Sequence, residues 1–144
     1  MTAKQYLQSY KKLETRYKVA LEELKNVEQD LVSIKSPQFD DKVQTSPKKD
    51  PIGDMVIQLE NEKARIAMKV TYYAAKMKLI KNQISELEEC YNDYYVIILL
   101  RYVMAKDWKF ICDKLCLSRS QANVVHGKAL QEFDRNFNVF YSNK

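Results

Sequence analysis

WKFICDKLCLSRSQANVVHGKAL, residues 108–130, is the stretch that decides the fold. Trp108, Ile111 and Leu115 recur at i, i+3 and i+7, the apolar face of a short helix. Leu117 and Ser118 break that pattern, and Ser118 suits the N-cap of a second helix. Ala122, Val125, Ala129 and Leu130 form the second helix's apolar stripe, which leaves Arg119, Ser120, Asn123 and Val124 on its outer face. A helix-turn-helix needs this layout: the first helix braces, and the opening turns of the second enter the major groove. Residues 114–128 hold Lys114, Arg119 and Lys128 and no acid, so a phosphate backbone would be attracted to them.

Composition bounds the rest. A chain of 144 residues accommodates one ordinary domain, or a small domain with an extended arm. Two glycines and three prolines favour long uninterrupted helices over sheets and turns. The net charge of +5 is modest. Residues 1–35 carry 7 basic and 5 acidic groups, residues 52–91 carry 6 and 6, and residues 92–144 carry 8 and 5. The excess at the two ends disfavours a generic polybasic membrane-surface protein. No apolar run approaches the roughly 18 residues of a spanning helix; the longest, residues 94–100, stops at Arg101. Early Lys4, Gln5, Lys11 and Lys12 leave no signal-peptide core, so the expected location is cytoplasmic.

Cys90, Cys112 and Cys116 make an odd count with no secretory signal, which argues against a disulfide framework. Cys112 and Cys116 share a helical face. A metal site would need two more ligands, and His126 and Cys90 stand at no finger-like spacing. Inert thiols are therefore expected, with no metal and no cofactor. An enzyme is disfavoured, because there is no glycine-rich phosphate loop and His126 has no acid partner at motif spacing.

Upstream, the periodicity predicts two long helices. Over residues 2–35, Tyr6, Leu13, Ala20, Val27 and Ile34 alternate with Tyr10, Tyr17, Leu24 and Leu31 at spacings of four and three. That is a coiled-coil seam, roughly 50 Å long at 1.5 Å rise per residue. Over residues 51–91, Ile52, Leu59, Ile66, Tyr73, Ile80 and Leu87 alternate with Val56, Lys63, Val70, Met77, Ile84 and Tyr91. Lys63 interrupts this seam; it either snorkels out or pairs with an acid across it. Residues 36–50, with Pro37 and Pro47 inside and Pro51 just beyond, read as a connecting loop. Asp50 is placed to cap the second helix and Pro51 to occupy its first position. The expected fold is all-α: a long antiparallel helical hairpin over residues 1–91, then a helix-turn-helix unit over residues 92–144. In that unit a core helix covers residues 94–104, Asp107 caps the brace helix, and Phe133, Phe137 and Phe140 pack back. A unit of about fifty residues is marginal alone, so it is expected to lean on the hairpin or on a partner. Leu7, Leu21, Ile57 and Met68 fall outside the seams and suggest a homodimer.

Residues 107–130 resemble region four of bacterial sigma factors. The resemblance rests on Asp107, Trp108, Ile111, Leu115, Ser118 and the closing Lys128-Ala129-Leu130, with Leu100-Arg101-Tyr102 upstream. The long arm followed by VQTSPKKDPIGD, residues 43–54, is similar to small phage proteins of Gram-positive hosts related to the RinA and ArpU-type regulators of late transcription. The resemblance implies a DNA-binding transcription regulator in the bacterial host cytoplasm, with double-stranded DNA and RNA polymerase as partners. The sigma-factor region that melts and reads the −10 element is not seen, so a complete sigma factor is not expected. Cys116 stands where a turn glycine or small polar residue is common, and a positive φ there would cost on the order of 1 kcal/mol.

The expected reading surface is the start of the second helix. Arg119 suits guanine, Asn123 adenine and Val124 a thymine methyl, with Ser120 and Gln121 in the same turns. Lys109, Lys114 and Lys128 are expected at phosphates. Two other readings remain: a coiled-coil protein-interaction scaffold, and a small-terminase-like packaging protein, in which the DNA-binding unit would come first rather than last.

Overall fold

The computed structural model describes residues 1–35, 50–89 and 92–142. Among them are five α-helices and no strand: α1 Ala3–Lys35, α2 Pro51–Glu86, α3 Asn92–Ile98, α4 Trp108–Leu115 and α5 Arg119–Phe137. The loop expected at residues 36–50 lies outside the described residues except for Asp50, as do Cys90 and Tyr91. No described helix is long and apolar enough to cross a membrane.

Local chemistry sets the helix starts. At α1 the Thr2 amide donates to Gln5 Oε1 (2.9 Å) and the Gln5 amide to Thr2 Oγ1 (3.3 Å), a reciprocal cap. At α2 a Cβ on Gly53 would lie 2.6 Å from Asp50 Oδ2, so the glycine makes room for that carboxylate over the first turn. The helix expected over residues 94–104 starts at Asn92 and changes character midway. From Leu99–Val103 it widens into a π-helical turn, where the Met104 amide donates five residues back to Leu99. Left-handed Ala105, at φ 53°, then ends it.

The chain forms two compact units, one of residues 16–72 and one joining residues 1–15 to residues 73–144. In the first unit α1 and α2 pack through Val27, Leu31 and Ile66, flanked by Leu24, Val56, Leu59 and Val70. Across the helices Lys35 meets Glu60 (2.9 Å), Glu28 meets Lys63 (4.0 Å) and Glu23 meets Lys69 (3.5 Å). Residue numbers fall on α1 as they rise on α2, so the pair is antiparallel. Exposed pairs of this kind contribute at most about 1 kcal/mol each; their use is in register. The Lys35 bond and charge hold the Glu60 carboxyl below its ordinary value. Lys63, which interrupts the seam, is half-buried, and its ammonium reaches Glu28. Ile52, assigned to the seam, is instead exposed near the start of α2.

The second unit holds the larger core. Leu7 and Tyr10 of α1, Ile80 and Ile84 of α2, Leu87, Ile97, Ile98, Leu100, Tyr102, Ile111, Ala129, Phe133, Phe137 and Tyr141 form one buried cluster. Residues 92–144 thus share their interior with the beginning of α1 and the end of α2. Leu7, expected to be exposed, is fully buried, because here α1 is covered by more than α2. Phe133 packs near Tyr6, Phe137 and Tyr141, at centroid distances of 6.1, 4.9 and 6.4 Å. Tyr6 stacks on Tyr141 at 4.7 Å, and its hydroxyl donates to Gln83 Oε1 (2.9 Å).

Phe140 corrects an expectation. After Phe137 the chain tightens into a 3₁₀ turn, Asn138–Phe140, which shifts the phase of the side chains. Phe140 is left 56% exposed while Tyr141 is buried, its hydroxyl donating to Asp134 Oδ1 (2.7 Å). Phe133→Ala should therefore cost about 3–5 kcal/mol, and Phe140→Ala less than about 0.5 kcal/mol. Urea denaturation of the two variants checks this, and similar losses would show that Phe140 packs after all.

Candidate nucleic-acid interface

Three short-range devices shape residues 107–121. The Asp107 carboxylate accepts from the Phe110 amide at 2.8 Å and caps α4. Cys116 ends that helix in the left-handed region, at φ 55° and ψ 41°, and the Leu117 amide returns to the Cys112 carbonyl at 3.0 Å. This αL ending favours glycine, so the cysteine brings the strain anticipated for it. Ser118 then opens α5 with a complete capping box: its hydroxyl accepts from the Gln121 amide (3.2 Å), and Gln121 Oε1 accepts from the Ser118 amide (3.0 Å). Both caps were readable from side-chain type and spacing.

Helix α5 is held by Ala122, Ala129, Phe133 and Phe137, all buried. Its opposite side is bare. Arg119, Ser120, Gln121, Asn123 and Val124 are all exposed, as are Lys109, Lys114 and Lys128. The first five are brought together over the first turns of one helix. Gln121 has its carbonyl oxygen committed to the cap, so only its amide nitrogen is left to donate outward. Leu117, Ser120, Gln121, Val124 and Val125 line a shallow, mostly apolar depression. Gly127 lies further along, exposed, and a Cβ there would meet nothing within 4 Å. Internal packing therefore does not account for this glycine, which costs an α-helix about 1 kcal/mol relative to alanine.

One cluster escaped the sequence reading. Trp108 carries two guanidinium groups, with Arg119 Cζ 4.5 Å and Arg101 Cζ 5.0 Å from its ring centroid. His126 meets the same ring edge-on at 5.0 Å, and its Nε2 lies 2.8 Å from the Tyr102 hydroxyl. Arg101 belongs to the π-helical turn, Trp108 to α4, and Arg119 and His126 to α5, so no single-helix periodicity could group them. Among the described residues, Arg101 and Arg119 make no ion pair, and neither do Lys109, Lys114 and Lys128. Arg119 also sits at the positive end of the α5 dipole, where an anion is favoured and a cation is not.

Burial, reinforced by Lys4, Arg101 and Arg119, pushes the His126 imidazole down to about 4. Burial raises the Tyr102 phenol to about 12, against the opposing pull of Arg101. Near neutral pH both groups are uncharged; with its proton on Nδ1, His126 accepts from Tyr102 at Nε2. No group of His, Cys, Asp and Glu among the described residues could hold a metal ion. Comparison with known protein families, with curated proteins and with solved structures finds no match to this chain.

The half-buried neutral imidazole has a consequence for stability. Its value in the fold, about 4, lies below the ordinary 6.5. The unfolded chain therefore takes up a proton between pH 6.5 and 4 that the folded chain refuses, and stability falls as pH falls through that window. His126→Gln removes the effect. Thermal melts from pH 7 to 4.5 should show wild type losing ground to the variant; parallel profiles would mean the imidazole is freely solvated.

Proposed function

We propose that the chain binds double-stranded DNA through the exposed start of α5, with α4, the Cys116–Ser118 turn and α5 serving as a helix-turn-helix, and that it regulates transcription. The observation carrying this reading is that Arg119, Ser120, Asn123 and Val124 stand exposed together on a helix whose other face is anchored in the core. The absence of ion pairs on the neighbouring described cations supports it, since charges without internal partners remain for phosphates. Arg119 and Asn123 read base edges, Val124 contacts a thymine methyl, and Lys109, Lys114 and Lys128 position the backbone. Titration of labelled duplexes at several salt concentrations tests this. Arg119→Ala should cost about 1–3 kcal/mol and relax preference at one base pair. Lys128→Ala should weaken all sequences alike and lower the salt slope by about one. If Arg119→Ala and Asn123→Ala both leave affinity and preference untouched, this helix does not read DNA. The depression at Leu117, Ser120 and Val124 would then favour the protein-interaction scaffold.

The same reading includes a homodimer. The two-helix unit buries few side chains, while Leu21, Ile57 and Met68 are exposed, the last at 74%. A dimer through this unit would space two DNA-binding surfaces for half-sites one helical turn apart or a multiple of it. Light scattering at micromolar concentration should give twice the chain mass of 17.0 kDa; a particle of single-chain mass would rule the dimer out.

A further inference from the structure

The stack on Trp108 joins residues from three parts of the chain. Arg101 makes one hydrogen bond besides, from its guanidinium to the Lys106 carbonyl at 3.1 Å, and keeps partial exposure. A buried salt bridge would need an acid, and among the described residues none is paired with Arg101 or Arg119. In the two-helix unit, by contrast, Lys35, Lys63 and Lys69 each reach a glutamate on the facing helix. Two guanidiniums close to one indole repel each other, and they gain from an anion that approaches both. An aromatic ring orients a guanidinium through its face and leaves the N–H edge free to donate.

We propose that Arg101, held over Trp108 beside the base-reading Arg119, grips the DNA backbone next to the reading turns of α5, and that Lys4 adds its charge to the same contact. Lys4 lies exposed in the first turn of α1, in the same compact unit, and its field reaches His126 together with those of Arg101 and Arg119. His126 stays neutral beside the patch near neutral pH. The partner of Arg101 and Lys4 is the phosphodiester backbone rather than a base, because both lie outside the opening turns of α5 that carry the reading side chains and so offer charge that positions without specifying. This inference rests on the DNA-binding reading above.

The test uses the full chain and labelled duplexes, one of random sequence and one selected for tight binding, titrated over a range of salt. Arg101→Gln and Lys4→Ala should each lower the salt slope by about one and weaken both duplexes by the same factor. Emission from Trp108, the chain's single tryptophan, should change on binding and follow the same curve. Lys4→Ala lies outside the core and keeps the test informative if Arg101→Gln loosens the fold. Unchanged slopes in both variants, with Arg119→Ala and Asn123→Ala still weakening the selected duplex, would overturn the patch and leave the DNA reading standing. Failure of the wild-type chain to bind any duplex would overturn both.

Discussion

Phe133 in contact with Tyr6 and Tyr141 ties the beginning of the chain to its end. The last fifty residues contain short helices that cannot enclose a core of adequate size by themselves. Burying Leu7 and Tyr10 from α1, with Ile80, Ile84 and Leu87 from the end of α2 and the turn after it, supplies the missing apolar surface. Without this contact α5 would lose the support for its inner face. The exposed turns that carry Arg119 and Asn123 would then have no fixed orientation.

That arrangement explains why α5 can be polar over its opening turns. Ala122 and Ala129 are small and fully buried, so the helix lies close to its neighbours. The large side chains, Phe133 and Phe137, come later and anchor it deep in the cluster. Burial follows one face, through Ala122, Ala129, Phe133 and Phe137, and its bulk lies toward the C-terminal end. A helix built this way presents its N-terminal turns outward without losing its hold. The capping box at Ser118 satisfies amides that would otherwise be orphaned at that exposed end.

The two units differ in how they use charge. Between α1 and α2, lysines and glutamates meet in a ladder that specifies an antiparallel register. Around Trp108 the cations gather without acids and press on the neighbouring imidazole. Net charge conceals this difference, since residues 92–144 carry acids as well as bases. Asp107 is used as a helix cap and Asp134 as the acceptor of a tyrosine hydroxyl.

Much of the architecture was legible in the chain itself, because it depends on neighbours in sequence. Heptad spacing marked the seam positions, and Asp107 and Ser118 marked the helix starts. Alternation of apolar and polar residues marked which side of α5 faces outward. Each of these is set by a period of 3.6 residues or by a cap three residues long. What only the tertiary structure decided involves residues far apart in the chain. The sequence pattern left Leu7 free, whereas the fold covers it. It placed Phe140 inside, whereas a 3₁₀ turn after Phe137 changed the phase and brought Tyr141 inward. It carried no sign that Arg101 and Arg119 share one indole, because that meeting depends on a π-helical turn, a left-handed Ala105 and the packing of three elements at once. Local periodicity reports which side of a helix is apolar; only packing determines what lies against it.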